Sequence, residues 1–203
     1  MAVRGTRTVT TIPIVFTTAS DPVQIGLVAS LARPGGNVTG ATILSVELAP
    51  KQVEMARELL PSASSIDALV NPTGPMTEVV LREYDAAARA LGLDLHVLHA
   101  STVRDLDTVF ATLGQRRSGA LVIAPDAFFA SNSQQLAALT AKHAVPAVSG
   151  LREFPTAGGL MSYGGSLSDA YRLAGIYTGR ILKGENPPTC RCSRPPRSSW
   201  SSI

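Results

Sequence analysis

The stretch that decides the fold runs Ile66-Asp-Ala-Leu-Val-Asn-Pro72, then Met76-Thr-Glu-Val-Val-Leu-Arg-Glu-Tyr-Asp-Ala-Ala-Ala-Arg-Ala-Leu91, then Gly92, then Leu93-Asp-Leu-His-Val-Leu-His99. Ile66 to Val70 is of strand length and is closed by the breaker pair Asn71-Pro72. Met76 to Leu91 is of helix length and ends at Gly92. Leu93 to His99 is again a strand. Two strands joined through a helix must run parallel, because a crossover of that length carries the chain back to its starting edge.

The same alternation extends outward in both directions. Toward the amino end, Ile12 to Thr17 reads as a buried strand, Pro22 to Ala32 as a helix with Val23, Leu27, Val28 and Leu31 on one face, and Val38 to Leu44 as an extended piece. Arg33-Pro-Gly-Gly-Asn37 is the turn between the last two. Leu48 to Leu60 is an amphipathic helix stopped by Pro61. Toward the carboxyl end, the helix Ser101 to Leu113 opens on Thr102 and Asp105, the spacing of a capping box. Ala120 to Ala124 is a strand. Ser131 to His143 is a helix with Ser131 and Gln134 at the same cap spacing. Val145 to Ser149 and Leu160 to Tyr163 are strands. Ser166 to Leu182 is a helix capped by Ser166 with Asp169. Nearly continuous apolar strands are what sheets covered on both faces require. The fold class expected is therefore α/β, with Rossmann-like parallel sheets and flanking helices.

Charge excludes one class of partner. The net charge of +3 comes from three of the eighteen basic residues, Arg191, Arg194 and Arg197, which sit in the last fifteen residues; the other fifteen balance the fifteen acids. A neutral body with 5% aromatics has no electrostatic footprint for nucleic acid. Both cysteines, Cys190 and Cys192, and the single Trp200 lie in that tail. A lone Cys-x-Cys lacks the second ligand pair of a zinc site. No run reaches the ~18 apolar residues that span a bilayer. No signal peptide is visible before Ile12, so the chain as written is expected to stay in the cytoplasm.

Ligands meet open α/β sheets at the carboxyl ends of the strands. Those ends carry Thr17-Thr-Ala-Ser-Asp21, Asn71, Ser101, Pro125-Asp126, Gly150 and Tyr163-Gly-Gly-Ser166. This is a hydrogen-bonding set suited to a small polar ligand. It is a poor catalytic set: there is no Gly-x-Ser-x-Gly elbow, no phosphate loop of the Walker type and no Gly-x-Gly-x-x-Gly. His96 and His99 sit three apart on one strand and face opposite sides, and His143 ends a helix, where a partial positive charge is favourable. No enzyme, cofactor or metal is expected. Asp21 reads either as a helix cap before Pro22 or as a ligand contact. Asp126 reads as a cap or turn, or as a ligand contact, the latter favoured because strand-end loops carry function. Asn37-Val-Thr39 matches a glycosylation sequon by chance.

Several short motifs occur together and in order: Ile12-Pro-Ile-Val-Phe16, Ser20-Asp-Pro-Val23, Arg33-Pro-Gly-Gly-Asn-Val-Thr-Gly40, Lys51-Gln52, Glu58-Leu-Leu-Pro61, Leu69-Val-Asn-Pro72, Ala86-Ala-Ala-Arg-Ala-Leu-Gly92, Gly158-Gly-Leu-Met-Ser-Tyr-Gly164 and Gly175-Ile-Tyr-Thr-Gly-Arg-Ile-Leu-Lys-Gly184. From Ile12 to Pro187 this series resembles the substrate-binding proteins of ABC transporters, of the tryptophan- and tyrosine-binding type. The resemblance implies a type I periplasmic-binding fold of two lobes, a solute-binding role in an ABC importer, and an amino-acid-like ligand held in an interlobe cleft. It implies a permease partner, no nucleic acid, no membrane insertion, and a periplasmic location. Carried over by motif, the first lobe contributes Thr18, Ser20, Asp21 and Thr39, and the second Asn71, Asp126, Phe128, Tyr163 and Gly164.

The expected organisation is a first-lobe fragment at 1–35, a near-complete second lobe at 36–164, a helix returning to the first lobe at 165–187, and a disordered tail at 188–203. Two departures from the family pattern accompany it. Most of the first lobe and any export signal are missing before Ile12. After Pro187, the stretch Pro188-Thr-Cys-Arg-Cys-Ser193 is what a one-base shift of codons for Ala-Asp-Leu-Pro-Val-Gln-Gln encodes. The tail is thus expected to be a frameshift product, which sequencing of the locus tests. Two alternatives stand beside the importer reading: an effector-sensing domain of the same fold, as in bacterial repressors, and a non-functional truncated fragment with exposed strand edges and weak binding.

Overall fold

A computed structural model of the chain describes residues 11–43, 46–116 and 119–187; the tail expectations, with Cys190, Cys192 and Trp200, lie outside the described residues. The elements in order are β1 (Ile14–Thr18), β2 (Val38–Thr42), α1 (Ala49–Leu59), β3 (Ser65–Val70), α2 (Thr77–Ala90), β4 (Asp94–His99), α3 (Val103–Arg116), β5 (Ala120–Ile123), α4 (Ala127–Ser131), α5 (Ser133–Lys142), β6 (Ala147–Leu151), α6 (Glu153–Thr156), β7 (Met161–Gly165) and α7 (Leu167–Leu182). They divide into two compact units, one of residues 11–43 with 166–187 and one of 46–165.

The larger unit is a five-stranded sheet in the order β4-β3-β5-β6-β7, with every pairing parallel. Strand alternation gives it two cores. Ile66, Ala68 and Val70 of β3 join Ala120 and Val122 of β5 on one face, packed against Val53, Ala56, Val80 and Tyr84 of α1 and α2. Leu69, Leu121 and Ile123 point to the other face, packed against Leu106, Phe110, Leu136 and Phe154 of α3, α5 and α6. Each buried Val, Leu, Ile or Phe among them contributes roughly 1.5–3 kcal/mol of transfer free energy. The continuous apolar strands are thus a sheet covered on both faces, as expected. The edge strand β4 is the exception, with only Leu95 and Leu98 half-buried and its other residues exposed. No helix among the described residues is long and apolar enough to cross a membrane.

The smaller unit pairs β1 with β2 in parallel, Ile14 opposite Val38 and Thr18 opposite Thr42. Helix α7 packs on both strands. This differs from the expected boundary at residue 36. Strand β2 is wholly buried against β1 and belongs with it, so the division falls after β2.

Two local expectations are corrected. Residues 22–32 form a series of turns, not a helix. Leu27 N–H bonds the Pro22 carbonyl at 2.8 Å, but Gly26 then takes φ +72° and leads the chain out of the helical path. Leu27, Val28 and Leu31 still pack with Ile14, Phe16 and Val38, while Val23, expected on the same face, is exposed. The helix expected over 131–143 is α5, Ser133–Lys142, and a separate short helix, α4, precedes it at Ala127–Ser131. Ser131 ends α4, and Asn132 caps α5 without a side-chain bond, so Ser131 and Gln134 form no capping box. Helix α6 has no counterpart in the sequence pattern. The Thr102–Asp105 box does form: Thr102 N–H donates to Asp105 Oδ2 at 2.8 Å and Asp105 N–H to Thr102 Oγ1 at 3.3 Å. Ser166 likewise caps α7 through Asp169 N–H at 3.0 Å.

Candidate ligand-binding site

The strand order reverses between β3 and β5, because α2 leads outward to β4 and α3 leads back across to β5. Such a switch point opens a crevice beyond the carboxyl ends of the two strands. The residues that follow them are Asn71 and, after Ala124-Pro125, Asp126. Asn71 Nδ2 donates to Asp126 Oδ1 at 3.1 Å, joining the two loops.

Each partner is further anchored. Asn71 Oδ1 accepts from Thr73 N–H at 3.1 Å and from Thr73 Oγ1 at 2.8 Å, and the Asn71 carbonyl accepts from Gly74 N–H at 3.0 Å and from Thr77 Oγ1. Asp126 Oδ1 also accepts from Phe128 N–H at 2.8 Å, which makes Asp126 the cap of α4. Its other oxygen, Oδ2, has no hydrogen bond among the described residues and is not buried. A carboxylate is thus held rigidly by one oxygen with the other available. Gly74 leaves room for it, since a Cβ there would lie 2.8 Å from Oδ2. Phe128 is half-buried with its ring 5.5 Å from that of Phe129.

Further along the same sheet edge, β7 carries one residue more than β6. Ser149 pairs with Ser162 and Leu151 with Gly165, so Tyr163 and Gly164 together face Gly150. This is a β-bulge, which bends the strand and redirects its side chains. The backbones close tightly: a Cβ on Gly164 would lie 1.9 Å from the Gly150 carbonyl oxygen. Gln52 of α1 donates through Nε2 to the Tyr163 carbonyl at 2.8 Å and accepts at Oε1 from the Tyr84 hydroxyl at 2.6 Å. Gln52 and Tyr84 are both 0% exposed. Burial pushes the Tyr84 phenol well above its ordinary pKa, so it remains a donor.

In the smaller unit, Thr18 ends β1 and its Oγ1 accepts from Ser20 N–H at 3.2 Å. The Ser20 carbonyl accepts from Thr42 Oγ1 at 2.9 Å. Asp21 Oδ1 accepts from Val23 N–H at 2.8 Å, so Asp21 caps the 22–26 turn. Thr18, Ser20 and Asp21 therefore form one strand-end cluster. Thr39 does not join it: it lies mid-strand in β2, fully buried.

The structure brings Asn71, Asp126 and Phe128 together at the switch point, and Tyr163 with Gly164 at the bulge. Sequence reading missed Thr73, Thr77 and Gln52. Gln52 had a signal, as a polar residue among Ala49, Val53 and Ala56 on the buried side of α1. His96 lies opposite Asp67 across the β3–β4 ladder, its Nδ1 3.5 Å from the buried carboxylate. His143 follows α5, as expected, with its ring 6.4 Å from that of Phe110. Among the described residues no cluster of three metal-ligating side chains occurs.

Parallel α/β units with polar side chains gathered at their strand ends define a ligand-binding protein of the type I periplasmic-binding class. The chain belongs to the ABC transporter substrate binding protein family, whose family model matches residues 3–197. That is a family of binding proteins, in agreement with the non-enzymatic reading of the sequence. Among curated relatives, a tyrosine-binding protein of Clostridioides difficile (strain R20291) is 44% identical over 61 residues, covering 30% of this chain and 17% of that protein. Among solved structures, a conserved domain protein of Vibrio cholerae matches with a TM-score of 0.73 at 25% identity, covering 95% of this chain and 64% of its own. An ABC domain from Streptococcus pneumonia in complex with L-Trp matches with a TM-score of 0.69 at 22% identity, covering 94% and 65%. The chain thus spans about two thirds of the length of those structures and a much smaller share of the curated relative.

Proposed function

We propose that this chain is the solute-binding component of an ABC importer and that it recognises a free amino acid with an aromatic side chain. The observation that carries this reading is Asp126, fixed at the switch point through Oδ1 with Oδ2 available. A ligand ammonium meets that oxygen in a charge-assisted hydrogen bond. Phe128 and Tyr163, both half-buried, offer aromatic surface for the ligand side chain. Thr18, Ser20 and Asp21 are the contribution we assign to the smaller unit, with the hydroxyls receiving the ligand carboxylate. The L-Trp complex and the tyrosine-binding relative support the ligand class. The interlobe cleft, the permease partner, the import direction and a location outside the cytoplasmic membrane belong to the same proposal and rest on family membership.

Calorimetry of the full chain with L-tyrosine and L-tryptophan tests it. Asp126→Asn keeps an acceptor for Phe128 N–H and Asn71 but removes the charge. The variant is expected to bind about 10- to 100-fold more weakly, the worth of a hydrogen bond to a charged group. Absence of binding by the unaltered chain, or equal binding by Asp126→Asn, refutes the reading.

A further inference from the structure

We infer that Gln52 is a positioning residue of the binding site: its buried carboxamide holds the β7 bulge and so fixes Tyr163 and Gly164. The inference rests on the binding reading above. It starts from an oddity of packing. Gln52 lies in α1 with Ala49, Val53 and Ala56 and is fully buried. For packing alone an apolar residue of similar volume would serve, since a buried amide is costly unless hydrogen-bonded.

The bulge explains the amide. The extra residue in β7 interrupts the ladder between Ser149–Ser162 and Leu151–Gly165. A carbonyl freed from a ladder inside a protein needs another donor. Gln52 Nε2 supplies it to Tyr163 at 2.8 Å. Tyr84 OH, donating to Oε1 at 2.6 Å, sets which end of the amide faces β7. Gly150 closes the arrangement from the other side, as a Cβ there would lie 3.2 Å from Gln52 Nε2. Helices α1 and α2 thus reach through the core to one carbonyl, and that carbonyl belongs to a residue assigned to the site. Gln52 is too deeply buried to meet a ligand itself, so its influence passes through the bulge.

The test uses the full chain with Gln52→Met and Tyr84→Phe. The readouts are calorimetric affinity for L-tyrosine and L-tryptophan and hydrogen exchange of the peptide spanning 161–166. Gln52→Met is expected to weaken binding about tenfold and to speed exchange at 161–165 by a similar factor, the effect of one lost buried hydrogen bond. Exchange in β3 and β5 stays unchanged. Tyr84→Phe keeps the bond to Tyr163 and is expected to stay within about threefold of the parent in affinity, a neutral bond being worth less than the orphaned carbonyl costs. Where Gln52→Met fails to fold, Gln52→Leu, shorter and likewise without a donor, gives the same local increase. Unchanged affinity and unchanged exchange at 161–165, or an increase spread evenly over the sheet, overturns the inference. If the parent binds neither amino acid, the binding reading fails; exchange at 161–165 then decides on Gln52 alone.

Discussion

Replacing Gly164 with alanine is the sharpest test of the β6–β7 geometry. The new Cβ would sit 1.9 Å from the Gly150 carbonyl oxygen and 2.7 Å from its carbon. Both are backbone atoms, so no side chain can rotate away. An ordinary contact is more than an ångström longer, and the two strands must part by about that much. Overpacking of this kind costs about 1–3 kcal/mol. Parting also strains the Arg152 N–H bond to the Gly165 carbonyl, 3.2 Å in the parent. Each backbone bond lost adds about 1 kcal/mol. The expected loss is roughly 2–4 kcal/mol, a large share of the 5–15 kcal/mol typical of a domain. Urea unfolding measures it, as a lower midpoint with an unchanged slope. A Gly164→Ala chain within about 1 kcal/mol of the parent would show that β6 and β7 do not approach as described.

The remaining predictions follow from the same kind of geometry. Gly175 lies exposed in α7, and a Cβ added there would meet nothing within 4 Å, so Gly175→Ala is expected to stabilise the smaller unit by about 0.5–1 kcal/mol in the same urea assay. Asp105 has its pKa lowered, first by the backbone N–H of Ser101 and then by that of Thr102. A lowered folded-state pKa means its stabilising effect is present above the unfolded value and is lost as pH falls through the folded one. The difference in melting temperature between the parent and Asp105→Ala is therefore expected at pH 7 and to fall away below the ordinary carboxyl value of 3.8; a difference that persists at about pH 2 contradicts the cap.

Much of the larger unit was legible because burial on both sheet faces forces continuous apolar strands, and Ala120 to Ile123 shows this directly. The exchange of Ile66, Ala68 and Val70 against Leu69 between two cores follows from strand period alone. The smaller unit was less legible. An apolar spacing of three and four residues over 22–32 fits a helix, yet a set of turns around Gly26 buries Leu27, Val28 and Leu31 and leaves Val23 exposed. Hydrophobic period reports which residues are inside, not which backbone carries them there. The short helix α4 was hidden because Asp126 caps its start, and Asp-Ala-Phe-Phe gives no cap box to find.

The site divides along the same line. Asn71 and Asp126 stand out as candidates in the sequence because strand ends in a parallel sheet are few and each is followed by a short polar turn. Gln52 was not, because its role depends on a bulge 111 residues away in sequence. The bulge is itself visible only once Ser149–Ser162 and Leu151–Gly165 are seen to be out of step. A residue that contacts a ligand can be inferred from where it stands on its own strand. A residue that holds such a residue in place requires the register of two strands and the packing of a helix across them. The sequence therefore shows the surface of this site more readily than its support. The glycines at 150 and 164, conspicuous in the chain, mark where that support is tightest: a Cβ at 164 would meet the Gly150 carbonyl oxygen at 1.9 Å, and one at 150 would press on Pro125 at 3.0 Å and Gln52 Nε2 at 3.2 Å.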